Sequence, residues 1–274
     1  MHRGQLHINK FVINFIYIAS LISCIWAGGR IFVADTFTIP SKSMEPELAP
    51  GDKVIVNKLL FGARLYKSFD LSSTRLQCMR LPGTRGIMTN DIVVFNMPYA
   101  PNSDRITFHI NYVYCKRCIG LPGDTISIRN GHYSNGRQSA LGCITRQRQL
   151  ANIPDSLIPH KAWRTMPYDS HLKQWTIKNF GPLYIPKKGD EVAMTPETAA
   201  IYKKIIEWEL DCRLAIDWKR RQVFDGHKLI KAHTFTHDYY FMAGDNVVDS
   251  YDSRYFGLVP DDFIIGTVIH AIHF

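Results

Sequence analysis

Hydrophobic and polar positions divide this chain into two unequal parts. Phe11 to Gly29 (FVINFIYIASLISCIWAGG) is uncharged over about 19 positions, enough at the helical rise to approach a hydrocarbon core of about 30 Å. The pattern predicts one N-terminal transmembrane helix over 11–29, behind a short basic tail at 1–10. Two other readings of the same run are weaker. A cleaved secretory signal would be shorter and would end in a small-x-small cut before a polar chain. Lipid attachment at Cys24, within Leu21-Ile22-Ser23-Cys24, would not leave the apolar run continuing through Ile25, Trp26 and Ala27.

Past Gly29 the period shortens to that of strands. Val54-Ile55-Val56 alternates, and Asp91 to Phe95 reads as a short buried strand. Ile106 to Cys118, Thr125 to Ile128, Thr234 to Met242 and Phe263 to Ile269 carry the β-branched and aromatic residues that strands favour. Leu59 to Asn90, broken by Pro82-Gly83 and Arg85-Gly86, reads as a loop or insertion. From about Asn130 to His233 the alternation weakens. One soluble helix is predicted there, Pro196 to Leu210, with Thr195 as cap, proline in the first turn and Ile201, Ile205 and Trp208 on one face. Asp225-Gly226 marks a hairpin. The expected fold is mainly β: an antiparallel β-sheet core over 30–129 and 234–274, an inserted α+β cap subdomain over 130–233, and the N-terminal transmembrane helix.

Composition narrows the function classes. A hydrophobic share of 46% supports a sizeable core, and the net charge of +9 suits an anionic surface. No zinc-finger spacing, RNA-binding aromatic motif or dense basic helix is present, so the charge reads as membrane-proximal, with no nucleic-acid partner. Six scattered cysteines are too few for a disulfide framework in 274 residues, and whether Cys143 and Cys212 pair stays open. Cys115 and Cys118 have no second CxxC, and on a strand their thiols would point to opposite faces, against a redox or metal role. His109, His233 and His237 read as ordinary sheet residues, with no metal site.

Three polar stretches remain. Ile39-Pro40-Ser41-Lys42-Ser43-Met44-Glu45-Pro46, with Gly51-Asp52, displays a serine on a stiff, non-helical backbone. Taken alone it is a turn. Lys116 lies in an apolar strand between Tyr114 and Cys118, where lost solvation would lower its pKa and make it a usable base; the plain alternative is a lysine that snorkels. In Gly244-Asp245-Asn246-Val247-Val248-Asp249-Ser250-Tyr251-Asp252-Ser253-Arg254-Tyr255-Phe256-Gly257, Asp252 and Arg254 are spaced to brace a loop and Ser250 to orient a polar group.

Together and in this order, these stretches resemble the bacterial type I signal peptidases, or leader peptidases. The matching residues are 39–46 with Gly51-Asp52, Asp91 to Phe95, Lys116-Arg117-x-Ile119-Gly120-Leu121-Pro122-Gly123-Asp124, and Gly244-Asp245-Asn246 with Ser250-x-Asp252-Ser253-Arg254 and Tyr255-x-Gly257-x-Val259-Pro260. The chain departs from the family pattern at Asn90, Val247 and Val248. The resemblance implies a serine–lysine endopeptidase that uses neither metal nor cofactor. Ser43 matches its nucleophile and Lys116 its general base. Ser41, with the Ser43 amide, matches the oxyanion hole, and Ser250 the serine that orients the lysine. Asp252 and Arg254 match a bracing pair, and Phe37, Ile39, Met44, Leu48 and Tyr114 fall where the family lines shallow substrate pockets. It further implies removal of signal peptides from exported preproteins after small residues, of Ala-x-Ala type. The implied setting is the bacterial inner membrane, with residues 1–10 cytoplasmic and the catalytic core on the periplasmic side. The lipid bilayer and the secretion translocon become candidate partners. Two other readings share some of these features. One is a soluble self-cleaving repressor-type protease, which would lack the apolar anchor and carry a DNA-binding helix-turn-helix. The other is a silent, membrane-tethered β domain, which has no need for Ser43, Lys116 and Ser250 together.

Overall fold

The computed structural model describes residues 10–67, 76–99, 103–138 and 140–273. The tail expected at 1–10 lies outside these except for Lys10. A helix runs over Lys10–Gly28 with none of its residues buried. With its continuation to Val33 it is long and apolar enough to cross a membrane, at a mean hydropathy of 1.9. An apolar helix without a protein face to cover it is the form a membrane span takes. Gly29–Val33 winds on as a π-helical turn and passes directly into the first strand. Arg30 pairs with Asp35, and Lys58 Nζ donates to the Arg30 carbonyl at 2.7 Å, tying the helix exit to the sheet.

The core is a seven-stranded sheet of β1 (Ala34–Thr38), β2 (Lys53–Asn57), β3 (Ile92–Asn96), β4 (Val113–Gly120), β5 (Tyr239–Ala243), β6 (Val259–Pro260) and β7 (Ile264–Ile272). Its order is β1-β2-β7-β3-β4-β5-β6, with every neighbour antiparallel. Period-2 alternation sends side chains to two cores. From β3, Val93 and Phe95 enter a large cluster with Phe241 and Phe263, while Val94 enters a smaller one with Ile39, Met44, Leu48, Val54 and Val56. Each such fully buried side chain contributes roughly 1.5–3 kcal/mol.

Besides the β6 end of the sheet, two stretches nearer Ser43 have a partner strand on one side only among the described residues. β1 has β2 on one side only. β4 pairs with β3 from Val113 to Arg117, but β5 reaches its other side only at Arg117, Cys118 and Gly120. The Val113–Lys116 half of β4 therefore keeps a free edge.

Several expectations change. The strand read from Ile106 begins only at Val113. Ile106 and Phe108 are buried in the large core from irregular backbone, and a turn from Tyr112 N–H to the His109 carbonyl (3.1 Å) precedes the strand. Their apolar character reflects burial, which composition does not separate from strand. Within Leu59–Asn90 a short antiparallel pair forms, Arg64–Tyr66 with Cys78–Arg80. The alternating Thr125 to Ile128 does form a strand, Thr125–Arg129, which pairs with His132–Ser134 and Phe180–Tyr184 and not with the seven-stranded sheet.

The cap helix Pro196–Leu210 forms as expected, and Thr195 Oγ1 accepts from the Thr198 N–H at 3.2 Å. The Asp225-Gly226 hairpin joins Gln222–Asp225 to Lys228–Leu229. His233 and His237 are more than sheet filling. Both reach the cap-helix residue Glu209, at 2.8 and 3.1 Å, and the Tyr239 hydroxyl donates to it at 2.7 Å. Burial alone would lower the His237 imidazole, but Asp262 and Glu209 outweigh it and raise its pKa to about 9. Cys143 and Cys212 are both free thiols.

Candidate active site

The turn that carries Ser43 hangs between β1 and β2. The Ile39 N–H donates to the Asp52 carbonyl at 2.8 Å and the Gly51 N–H to the Ile39 carbonyl at 2.9 Å, closing the loop at its base. Lys42–Met44 forms one 3-10 turn, and Met44 and Leu48 plug it into the smaller core at 1% exposure each. Ser43, just before Met44, is held half-buried at the surface. Phe37 packs on the same cluster, so four of the expected pocket residues (Phe37, Ile39, Met44, Leu48) come together. Tyr114 does not join them. It packs on the large core beside Phe95 (6.3 Å), yet its ring lies 5.5 Å from Lys116 Nζ.

Lys116 projects from β4 and its Nζ donates to Ser43 Oγ. Ser41 Oγ lies 3.2 Å from Ser43 Oγ. The lysine is only 3% exposed. Burial pushes its pKa below the ordinary lysine value; Asp252, Cys115 and Asp245 pull it partway back. A desolvated amine is neutral for a larger share of the time, and only a neutral amine accepts a proton. The neighbouring thiols are no rivals as nucleophiles, because burial raises Cys115 to about 12 and Cys118 higher still.

Behind the pair stands a closed ionic unit. Arg254 donates to Asp252 twice, at 2.8 and 2.7 Å, and both side chains are fully buried. Burial alone would raise the Asp252 carboxyl, but the guanidinium, the Gly244 N–H at 3.0 Å and nearby Ser250 together hold it below its usual range. Ser250 Oγ is buried at this junction beside the Asp252 carboxylate and makes no hydrogen bond to Lys116.

The chain matches, over residues 12–272, the family described as signal peptidase, peptidase S26. It belongs to the signal peptidase family. Signal peptidase I of Buchnera aphidicola subsp. Baizongia pistaciae is 29% identical over 250 residues, which cover 88% of this chain and 70% of that one. Signal peptidase I of Pseudomonas fluorescens is 28% identical over 251 residues, covering 86% and 64%. The chain thus spans about two thirds of the length of these relatives. A crystal structure of a signal peptidase I from Enterococcus faecalis matches 67% of this chain and 97% of that one, at 18% identity and a TM-score of 0.30, too loose a likeness to build on.

Two residues of this signal peptidase site escaped the sequence reading of roles. Asn246 donates from its backbone N–H to the Ser43 carbonyl (3.1 Å) and from Nδ2 to the Lys42 carbonyl (3.1 Å). Gly244 lies so close that a Cβ there would sit 2.5 Å from the Ser43 carbonyl oxygen and nearer still to Ser250 Oγ. The signal was a glycine and an amide side chain in a polar loop, which periodicity cannot distinguish from any surface turn. Asp245, beside them, takes Arg117 in a two-point pair at 2.8 and 2.6 Å.

Proposed function

We propose that this protein is a membrane-anchored serine endopeptidase that removes N-terminal signal peptides from exported preproteins. The observation that carries this is the hydrogen bond from a buried Lys116 to Ser43, two residues 73 positions apart. Neutral Lys116 takes the hydroxyl proton as Ser43 Oγ attacks the scissile carbonyl carbon. The Ser43 N–H and the Ser41 hydroxyl face the oxygen that gains the charge, and losing one such donor costs roughly 3–4 kcal/mol. The lysine ammonium then protonates the departing amine, freeing the mature chain. Water, deprotonated by the same amine, hydrolyses the Ser43 ester and releases the signal peptide as a carboxylate. In this reading Ser250, buried beside the Asp252 carboxylate, orients the amine, and Asp252 and Arg254 hold that corner.

The free edges of β1 and of Val113–Lys116 invite an extended segment by strand addition. Phe37, Ile39, Met44 and Leu48 make an apolar floor that is already filled, so only small side chains would fit beside it, consistent with an Ala-x-Ala preference. The exposed apolar helix, ending directly at β1, supports a site at the bilayer surface, while the periplasmic side of the inner membrane and a translocon nearby are what the motif resemblance adds. Cleavage of a preprotein by the wild type, Ser43→Ala and Lys116→Ala tests the reading. The wild type alone should process it, at a rate that rises with pH through the depressed lysine pKa. Equal processing by all three would remove it.

A further inference from the structure

A line of aromatic rings leads away from the catalytic lysine. Tyr114, under Lys116 Nζ, meets Tyr112 edge-on at 5.4 Å, and their hydroxyls are 3.2 Å apart. Tyr251 stands further along, within electrostatic reach of both hydroxyls but in ring contact with neither among the described residues. It meets Phe256 at 5.5 Å and stacks on Tyr255 at 6.0 Å. Phe256 in turn meets Tyr99 at 5.5 Å, and Lys204 of the cap helix lies 4.9 Å above the Tyr99 ring. There the line opens into a cavity of about 290 Å³ between the cap helix and the core, walled by Ala200, Ile201, Met166 and Tyr168. Tyr251 and Tyr168 are each more than half exposed, whereas Phe256, Tyr99 and Tyr255 are buried, so what solvent reaches between the lysine and the cavity is the face of Tyr251 and, at the cavity mouth, of Tyr168.

This cavity is small for a cofactor or a drug-sized ligand and has room for a side chain or two. Its walls are chiefly apolar. Lys204, half-buried at its edge, forms no salt bridge among the described residues, whereas Arg213 pairs with Asp104 and Lys203 approaches Glu207. A second cavity, which shares no wall with the first, is lined by Phe37 of β1 and Val113 of β4 together with Trp26 and Arg30 at the exit of the apolar helix. A signal peptide, whose apolar segment lies in the bilayer, would approach by that second route. The other end of the substrate then has the aromatic line before it.

We propose that the aromatic line and the cap cavity bind the mature segment of the preprotein, an apolar side chain entering the cavity and an acidic neighbour pairing with Lys204. The inserted region would then be a substrate-binding arm. This rests on the cleavage reaction proposed above, and the experiment separates the two. The full chain is titrated with a synthetic mature-segment peptide carrying an apolar–acidic pair, with no scissile bond. Binding should weaken roughly tenfold, or about 1.4 kcal/mol, in Ala200→Phe, which fills the cavity, and in Lys204→Gln. It should weaken similarly when the peptide's acid is replaced by lysine. In parallel, Ala200→Phe should raise KM for a long preprotein severalfold while cleavage of a peptide ending just past the cut stays at the wild-type rate. Absent or unaltered binding, or equal slowing of long and short substrates, would overturn the inference and leave the Ser43–Lys116 reaction standing. Peptide binding without any cleavage would do the reverse.

Discussion

Asp245 and Asn246 are consecutive, yet they grip opposite halves of the Ser43–Lys116 pair: Asp245 holds Arg117, next to Lys116, and Asn246 holds the carbonyls of Lys42 and Ser43. One short loop therefore bears on the distance between the two side chains. Asn246→Ala removes one donor to the Lys42 carbonyl, a net loss of about 1 kcal/mol of positioning. We expect kcat to fall about fivefold to tenfold with KM and the pH profile nearly unchanged, by steady-state kinetics.

Gly244→Ala should be far worse. The added Cβ meets the Ser43 carbonyl and Ser250 together, on backbone that Asp252 also holds. Overpacking of this kind costs about 1–3 kcal/mol, and the displaced serine should lose most activity. Urea unfolding and turnover, measured on one preparation, check both effects.

Lys116→Met exchanges a buried amine for an apolar side chain of similar length. Because the folded pKa is depressed, the unfolded chain binds more protons from that value up to about 10.4, and wild-type stability rises with pH across this window. The variant should be inactive yet more stable at neutral pH, because it has no buried amine for the unfolded chain to protonate preferentially. Its advantage should shrink as the pH nears 10. Denaturant midpoints at several pH values show this directly.

Arg254→Met strands the Asp252 carboxylate where water does not reach. Breaking a buried pair from one side costs about 3–5 kcal/mol. The double variant Asp252→Leu with Arg254→Met should recover part of that loss, by the same unfolding measurement.

His237 gives a test remote from the chemistry. Its pKa rises from 6.5 to about 9 through Asp262 and Glu209, so its contribution is whole below 6.5 and disappears as the pH climbs through 9. Asp261, which burial and Asp262 raise to about 6, titrates below that window. His237→Gln should cost about 2–3 kcal/mol near pH 6.5 and little near pH 9.5, at roughly 1.4 kcal/mol per pH unit.

The apolar helix and the cap helix were legible because each follows a local rule: length without charge in one, Thr195-Pro196 ahead of a spaced apolar face in the other. Ser43 and Lys116 were legible only through an ordered set of short motifs, since nothing local to either reports a partner 73 residues away. The start of β4 was misplaced because Ile106 and Phe108 are apolar for burial alone. The meeting of His233, His237 and Glu209 could not be read at all. It depends on where the cap helix docks, and that is a property of the packed whole.

The passage from Gly29–Val33 into β1 contains no intervening coil. In the proposed setting this makes the enzyme a depth gauge. The cut falls at a height above the lipid fixed by one turn of backbone, so a preprotein is measured as well as recognised. Inserting a flexible spacer at Gly29 would let the blade wander, and sites that are normally out of register would begin to be cut.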